Sequence, residues 1–346
     1  MKQVVLSGIR KMEVIDVAAP AITSPDEVKI KLSVVGVCGS DIHYYSEGKI
    51  GNQVVEYPFP VGHECSGVIV GKGENVDHVN VGDLVVVDPS VHCGECDQCL
   101  AGRPHTCRNN KFLGCPGQLD GCLGEYIVMP GFTCFPVNGS LNSVQAALIE
   151  PLSIGVYAVK QAALANINQT VAIFGVGPIG LSILLKLKAD GVRNIGIVDP
   201  LDYRLEKAVE IGAGYGIQPN KDNVETKVRE KVELLLDVVF EASGEQAAVD
   251  NAIKVLKPGG KLVLVGIPPD AKYTFNMDLM RRKELTVINV RRQNGCVEEA
   301  IELVKSGKID AELMVTHHFK LEETDVAFDI VEGYKDGAIK AMITFD

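Results

Sequence analysis

The stretch TVAIFGVGPIG, Thr170 to Gly180, constrains the fold of this chain more than any other. An apolar, β-branched run ends at Gly175, and Gly177 and Gly180 follow at the head of the amphipathic run GPIGLSILLKLKADG. In a G-x-G-x-x-G spacing between strand and helix, the first glycine allows a tight turn. The second lets backbone approach a pyrophosphate, and the third lets helix and strand pack closely. The free N–H groups at the helix start then face the phosphates. The same rhythm repeats downstream: NIGIVDP precedes LDYRLEKAVEIGA, LLLDVVFEAS precedes GEQAAVDNAIKVLKPGG, and KLVLVGI follows. Near-continuous apolar strands alternating with helices predict an α/β, doubly wound parallel sheet over residues 152–290.

A lone glycine fingerprint is weak, but here an acidic residue, Asp199, stands about twenty positions beyond it at the end of GIVD. A carboxylate there accepts hydrogen bonds from a ribose 2′-hydroxyl and repels a 2′-phosphate, so a nucleotide site that favours NAD over NADP is expected. Arg204 lies near enough to line the adenosine side or to temper that preference.

Residues 1 to about 150 read differently. Short alternating or β-branched runs (EVKIKLSVVGV, SGVIVG, DLVVVDP) are punctuated by Gly and Pro, which predicts an irregular β domain. The chain ends on a further strand pattern, IKAMITF, expected to rejoin that first domain. Inside the β region, HCGECDQCLAGRPHTC places Cys93, Cys96, Cys99 and Cys107 close together. Four thiolates satisfy a tetrahedral Zn²⁺ completely and leave no position for substrate, so this set predicts a structural zinc. A redox disulfide and an iron–sulfur cluster are the alternatives. The ten cysteines bear on this, because in a reducing compartment clustered thiols are metal ligands more often than disulfides. The start, MKQVVLSGIRKMEVIDV, has charges within its apolar pattern and no small-residue cleavage site, which predicts a cytoplasmic protein without a signal peptide. No apolar run reaches membrane-spanning length. The net charge of −11 argues against nucleic acid or an anionic membrane as partner.

A working metal needs a sparser set with one exchangeable position. GVCGSDIHYY offers Cys38, VGHECSGV offers His63 and Glu64, and ALIEPLSIG offers Glu150. Each also has an ordinary reading: a buried small thiol, a hydrogen-bonded loop histidine, a glutamate that starts a helix before Pro151. Spacing alone does not bring them together.

The segment GHECSGVIVGKGENV matches the zinc-alcohol-dehydrogenase signature. Over essentially its full length the chain resembles the medium-chain dehydrogenase/reductase superfamily, and CGSDIHYY, GKIGN, GHE, ALIEPLSIGVYA, GPIG and VTHHF look most like its sorbitol (polyol) dehydrogenase branch. The resemblance implies a GroES-like irregular β-barrel catalytic domain, residues 1–151 completed by 291–346, around a Rossmann domain at 152–290, with the active-site cleft between them. It implies that Cys38, His63 and Glu64 bind catalytic zinc, that Glu150 binds it directly or through a water, and that Asp41 orients His63. Cys93, Cys96, Cys99 and Cys107 match a structural-zinc lobe that some polyol dehydrogenases lack. Cofactor contacts are implied for Gly175, Gly177, Ile179, Gly180, Asp199, Arg204, for Val265, Gly266 and Ile267, and for Val290, Arg291 and Arg292. Tyr44, Glu150 and Arg292 would line the substrate pocket, and Ser40 and His43 match a proton relay through the cofactor ribose, with Glu150 and a zinc-bound water as a second route. The chain departs from the branch at Gln293, where an aromatic residue is usual, and at Arg291, where a hydrophobic one is. Those changes suit a sugar acid or another polar substrate, or Arg291 faces cofactor phosphate or solvent.

The expected function is therefore zinc-dependent hydride transfer between NAD and a secondary alcohol of a polyol, sugar or sugar acid, in a homo-oligomer (tetramer or dimer). A threonine-type or vicinal-diol (butanediol-like) dehydrogenase and a non-catalytic nucleotide-binding redox sensor are the alternatives. Cys65, Cys115, Cys122, Cys134 and Cys296 are expected as buried or inert thiols, and His317 and His318 as packing or hydrogen-bonding residues.

Overall fold

The computed structural model describes residues 1–269 and 271–345. Its chain divides into two units, one of Met1–Glu150, Val297–Gly307 and Val315–Asp346, the other of Pro151–Cys296 and Lys308–Met314. The division falls within the helix Ser143–Ala162, one residue before the expected boundary. The return segment expected over 291–346 is split, because 291–296 and Lys308–Met314 stay with the second unit. Burial explains both exceptions. Cys296 is fully buried with Lys160 Nζ 3.8 Å from its sulfur, and Ala311 and Met314 are buried, Met314 Sδ accepting from Ser182 Oγ at 3.3 Å.

The first unit is organised by the strand Glu27–Gly36. Val28, Ile30 and Leu32 alternate inward, as a half-buried strand requires. One edge carries Glu64–Lys72 antiparallel, followed by Leu84–Val87 and Cys134–Pro136. The other edge is shared: Tyr126–Pro130 pairs with its first half, and Lys340–Thr344 pairs with Val34 to Gly36. Val315–Lys320 then lies parallel to Lys340–Thr344, so the closing strand pattern of the sequence does rejoin the β domain. Register shifts near Lys29 and Leu32 bend the ladder with Glu64–Lys72 and set Gly36 opposite Glu64. Leu6, Ile30, Ile69, Met129 and Phe328 fill the core, each worth roughly 1.5–3 kcal/mol when fully buried.

In the second unit six parallel strands follow the spatial order Tyr215–Ile217, Asn194–Val198, Thr170–Phe174, Leu236–Glu241, Leu256–Leu264, Thr286–Asn289. Numbered along the chain this is 3-2-1-4-5-6, the doubly wound order in which ligands bind beyond the carboxyl ends at the switch between strands one and four. The apolar strands are buried on both faces, and the helix Pro178–Ala189 is buried from Gly180 through Leu187. No helix among the described residues is long and apolar enough to cross a membrane.

Candidate metal and cofactor sites

Three short segments of the first unit converge. Cys38 caps the helix Gly39–Glu47 that leaves the central strand, and Asp41 returns its Oδ2 to the Cys38 N–H at 3.3 Å. His63 lies in the loop just ahead of the strand Glu64–Lys72. One ligand atom from each of Cys38, His63 and Glu64 lies within 4.8 Å of the others. Asp41 Oδ1 stands 3.3 Å from His63 Nδ1 and accepts the Gly62 N–H at 3.3 Å, so the ring presents its other nitrogen to the site. A thiolate, an imidazole nitrogen and a carboxylate oxygen at this spacing fit a zinc ion with one position left for a ligand.

The surroundings are charged and dry. Asp41, His63, Glu64 and Glu150 are all buried. Burial pushes the His63 imidazolium down, but the charges of Asp41 and Cys38 outweigh it and hold its pKa well above the ordinary value. The same anionic field attracts a metal cation. Lys340, buried at 1% exposure, pairs with Glu64 Oε2 and donates to the Val37 carbonyl at 3.1 Å. Desolvation opposes its charge, yet Glu64 and Cys38 raise its pKa. A Cβ at residue 36 would sit 2.3 Å from Glu64 Oε2, so glycine is the residue that leaves this carboxylate room. Glu150 lies outside the three-donor set but within its field: burial pushes its carboxyl up to about 8, with Glu64 adding to the rise and His63 and Lys340 opposing it. It sits mid-helix, not at a helix start; the helix runs through Pro151, whose missing N–H leaves the fourth carbonyl before it without a helical donor.

The cysteine lobe is built differently. Its sulfurs lie 3.5 Å (Cys93 and Cys107), 3.6 Å (Cys96 and Cys99), 3.8 Å (Cys96 and Cys107) and 4.0 Å (Cys93 and Cys99) apart. A tetrahedral ion with 2.3 Å bonds spaces its sulfurs by about 3.8 Å, so the set fits zinc. The N–H groups of Cys93 and Asn109 donate to Cys107 Sγ, each at 3.3 Å. Backbone N–H groups bring the Cys96 thiol down to about 6, whereas burial and neighbouring sulfurs push Cys99 up to about 12. Such a set ionises together only around a central cation.

In the second unit Gly175 takes φ +86°, and a Cβ at Gly180 would lie 2.0 Å from the Gly175 carbonyl oxygen, which explains glycine at both. Ile179 is half-buried in the first turn of the following helix. Asp199 is buried; Oδ2 accepts the Val176 N–H at 2.8 Å, Oδ1 the Leu201 N–H at 2.9 Å, and Arg204 Nη1 lies 3.9 Å away. Each oxygen keeps further acceptor capacity for a ribose hydroxyl. Burial raises the Asp199 carboxyl, with Arg204 and both N–H groups opposing. Val265 and Gly266 are half-buried and Ile267 is exposed in the turn after the fifth strand, and the Val290 N–H bonds to Leu264.

The remaining candidates fall as follows. Ser40 Oγ donates to Cys38 Sγ at 3.3 Å, while His43 Nδ1 lies 3.5 Å from Glu47 Oε1; no hydrogen bond joins Ser40 to His43 among the described residues. Tyr44 is buried, and its hydroxyl donates to Gln53 Oε1 at 3.2 Å. Gln53 in turn donates to Cys115 Sγ at 2.8 Å. Arg291 is exposed, Arg292 holds φ +52°, and Gln293 Oε1 accepts the Cys296 N–H at 2.9 Å. Cys65, Cys115, Cys122, Cys134 and Cys296 are buried and outside any disulfide, and His317 engages Thr316, Asp336 and Phe319. Lys340 and Gln53 were not singled out from sequence. A lone lysine inside the apolar strand AIKAMITF is the signal for the first; nothing in the sequence marks the second.

Two family models match the chain: an alcohol dehydrogenase GroES-like domain over residues 24–139 and a zinc-binding dehydrogenase over 178–306. A sorbitol dehydrogenase of Bacillus subtilis is 36% identical over 99% of this chain and 97% of its own length. The chain belongs to the zinc-dependent medium-chain dehydrogenase/reductase superfamily, in its polyol dehydrogenase-like branch. Within the superfamily an L-idonate 5-dehydrogenase of Vitis vinifera is 31% identical over 97% of this chain and 93% of its own. The crystal structure of a galactitol-1-phosphate dehydrogenase from Escherichia coli superposes with a TM-score of 0.90 at 28% identity and covers 100% of both chains. The GroES-like and Rossmann folds are those of this superfamily, and its cofactors, Zn²⁺ and NAD, fit the donor sets and glycine turn described above.

Proposed function

We propose that this dehydrogenase transfers a hydride between NAD and a secondary alcohol of a polyol, sugar or sugar acid, and that Cys38, His63 and a carboxylate hold its catalytic zinc. The observation that carries the assignment is the Cys38–His63–Glu64 set, half-buried at Cys38 and buried at His63 and Glu64, backed by Asp41 and Lys340 and adjacent to Glu150. When bound there, Zn²⁺ favours the alkoxide form of a substrate hydroxyl, and NAD carries the hydride. Asp41 fixes the His63 tautomer; Lys340 offsets the Glu64 charge and leaves its second oxygen for the metal. Ser40, bonded to the Cys38 sulfur, opens a proton route that reaches His43 through the cofactor ribose, with Glu150 and a zinc-bound water as the alternative exit. Cys93, Cys96, Cys99 and Cys107 hold a second, structural zinc.

The relatives named above act on sorbitol, idonate and galactitol 1-phosphate, which share a polyhydroxylated carbon chain. Gln293 accepts the Cys296 N–H through its side-chain oxygen, which fixes its amide; its NH2 donors, with Arg291 and Arg292, carry the case for an anionic sugar. We further place the protein in the cytoplasm, a compartment that keeps thiols reduced, which suits clustered cysteines as metal ligands. We also assign a homo-oligomer: the outer edge of the strand Thr286–Asn289 has no partner strand among the described residues and can pair with a second copy.

The test is cofactor reduction across polyols, aldonates, diols and threonine, with NAD⁺ and NADP⁺ in parallel and zinc quantified. Reduction of NAD⁺ with a polyol or aldonate is expected. Turnover confined to threonine or butanediol overturns the substrate class, and silence across the panel with zinc and NAD⁺ bound favours the redox sensor.

A further inference from the structure

Glu241 ends the fourth strand of the parallel sheet, and its side chain is fully buried at the switch point. Register places it beside Phe174, the residue before Gly175, on one side and Leu264, the residue before Val265, on the other. It therefore stands between the two turns assigned to the cofactor. Its backbone carbonyl accepts the N–H groups of Val265 at 2.8 Å and Gly266 at 2.9 Å.

The carboxylate ties further segments together. Oε1 accepts the Ser243 N–H at 2.7 Å, the Ser243 hydroxyl at 2.5 Å and the Gly244 N–H at 2.9 Å. Oε2 accepts the Tyr273 hydroxyl at 3.0 Å. Tyr273 belongs to the loop that follows Ile267, and next to it Gln246 clamps Thr274 from both sides, donating to its carbonyl and accepting its N–H, each at 2.8 Å. These segments are in close contact: a Cβ at Gly266 would lie 2.3 Å from Gly244 N and 2.7 Å from Glu241 Oε2, and one at Gly175 would lie 2.7 Å from Ser243 N. The 242–244 turn is thus packed directly against the 265–267 turn, whereas Gly175, which it also approaches, is held by its own N–H bond to the Val198 carbonyl at 2.8 Å.

We propose that Glu241, with Tyr273, is a positioning residue for the nicotinamide half of the cofactor site, acting through the turns 242–244 and 265–267 without touching the cofactor. The doubly wound fold divides its ligand between two halves, strands one to three and strands four to six. Glu241 organises the second half. Removing its carboxylate leaves the buried Gly244 N–H and the part-buried Ser243 N–H without their acceptor and takes away the Tyr273 anchor, at the cost of an unsatisfied donor set. The adenosine half, built on Gly177, Asp199 and Arg204, keeps its own fastenings. This inference rests on the NAD site of the proposed function.

The experiment is equilibrium binding of NADH and of ADP-ribose, which lacks the nicotinamide, to the full-length zinc-loaded protein. Glu241→Ala is expected to weaken NADH about tenfold or more and ADP-ribose no more than about twofold. Tyr273→Phe, which keeps the fold's turns intact, is expected to weaken NADH about threefold, and Glu241→Gln, which can still accept at the turn, to retain most of the affinity. An equal loss for both ligands, or NADH affinity unchanged in both Glu241→Ala and Tyr273→Phe, overturns the positioning role; if Glu241→Ala does not fold, the Tyr273→Phe ratio decides alone. If wild-type protein binds neither ligand, the NAD site itself is wrong, which separates that failure from this one.

Discussion

The four sulfurs of the cysteine lobe come from one short stretch of chain, and the N–H groups around them belong to that same stretch. Cys38, His63 and Glu64 instead come from a helix cap, a loop and a strand start; Asp41, from the helix that Cys38 caps, and Lys340, from the last strand, are buried behind them. The first set needs only a local loop and a metal. The second needs the whole sheet of the first unit, because register brings Gly36 opposite Glu64 and brings Lys340 in from the last strand. Saturated ligation in a local loop suits a part that holds shape. Unsaturated ligation in a buried, charged and long-range site suits a part that performs chemistry.

Breaking each set separately tests this contrast. The largest effect expected is from Cys38→Ala: about one zinc per chain lost and turnover down by roughly a thousandfold or more, with the circular-dichroism spectrum retained. Persistent turnover would remove Cys38 from the catalytic set. Cys96→Ser should cost about 3–5 kcal/mol in denaturant unfolding, as loss of a structural metal does. Lys340→Met should cost up to about 3 kcal/mol by leaving Glu64 buried without its cation. That loss should be smaller in zinc-loaded than in zinc-stripped protein if Glu64 faces the metal; equal losses would detach Glu64 from it. The smallest effect is expected from Asp41→Asn, which should weaken zinc affinity about 10- to 100-fold by releasing the His63 ring, measured by competition with a chelator.

Much of this was legible in the sequence where chemistry is local. The glycine turn, the apolar strands and the cysteine spacing each carry their geometry within a few residues; the strand order 3-2-1-4-5-6 is set by long-range pairing that the β/α rhythm does not specify. Glu150 shows the limit. Beside Pro151 it reads as a helix start, yet packing carries the helix Ser143–Ala162 straight through. Lys340 and Gln53 were missed because their meaning lies in partners that only the fold brings close, Glu64 across the sheet 276 residues away and, for Gln53, Tyr44 nine and Cys115 62 residues away. Gln293 reads as a pocket residue, and nothing in the sequence signals the Cys296 N–H that its oxygen accepts. Periodicity and spacing report which face a residue occupies; they do not report which atom it meets there.

The central claim, that one metal set holds shape while the other performs the reaction, is tested most directly by turnover per bound zinc in Cys96→Ser, measured below its melting temperature. The account predicts one zinc per chain and a turnover per remaining zinc within about threefold of wild type, since the surviving set keeps its open position. A folded protein that retains that zinc but has lost its turnover would contradict it and make the cysteine lobe part of the catalytic machinery.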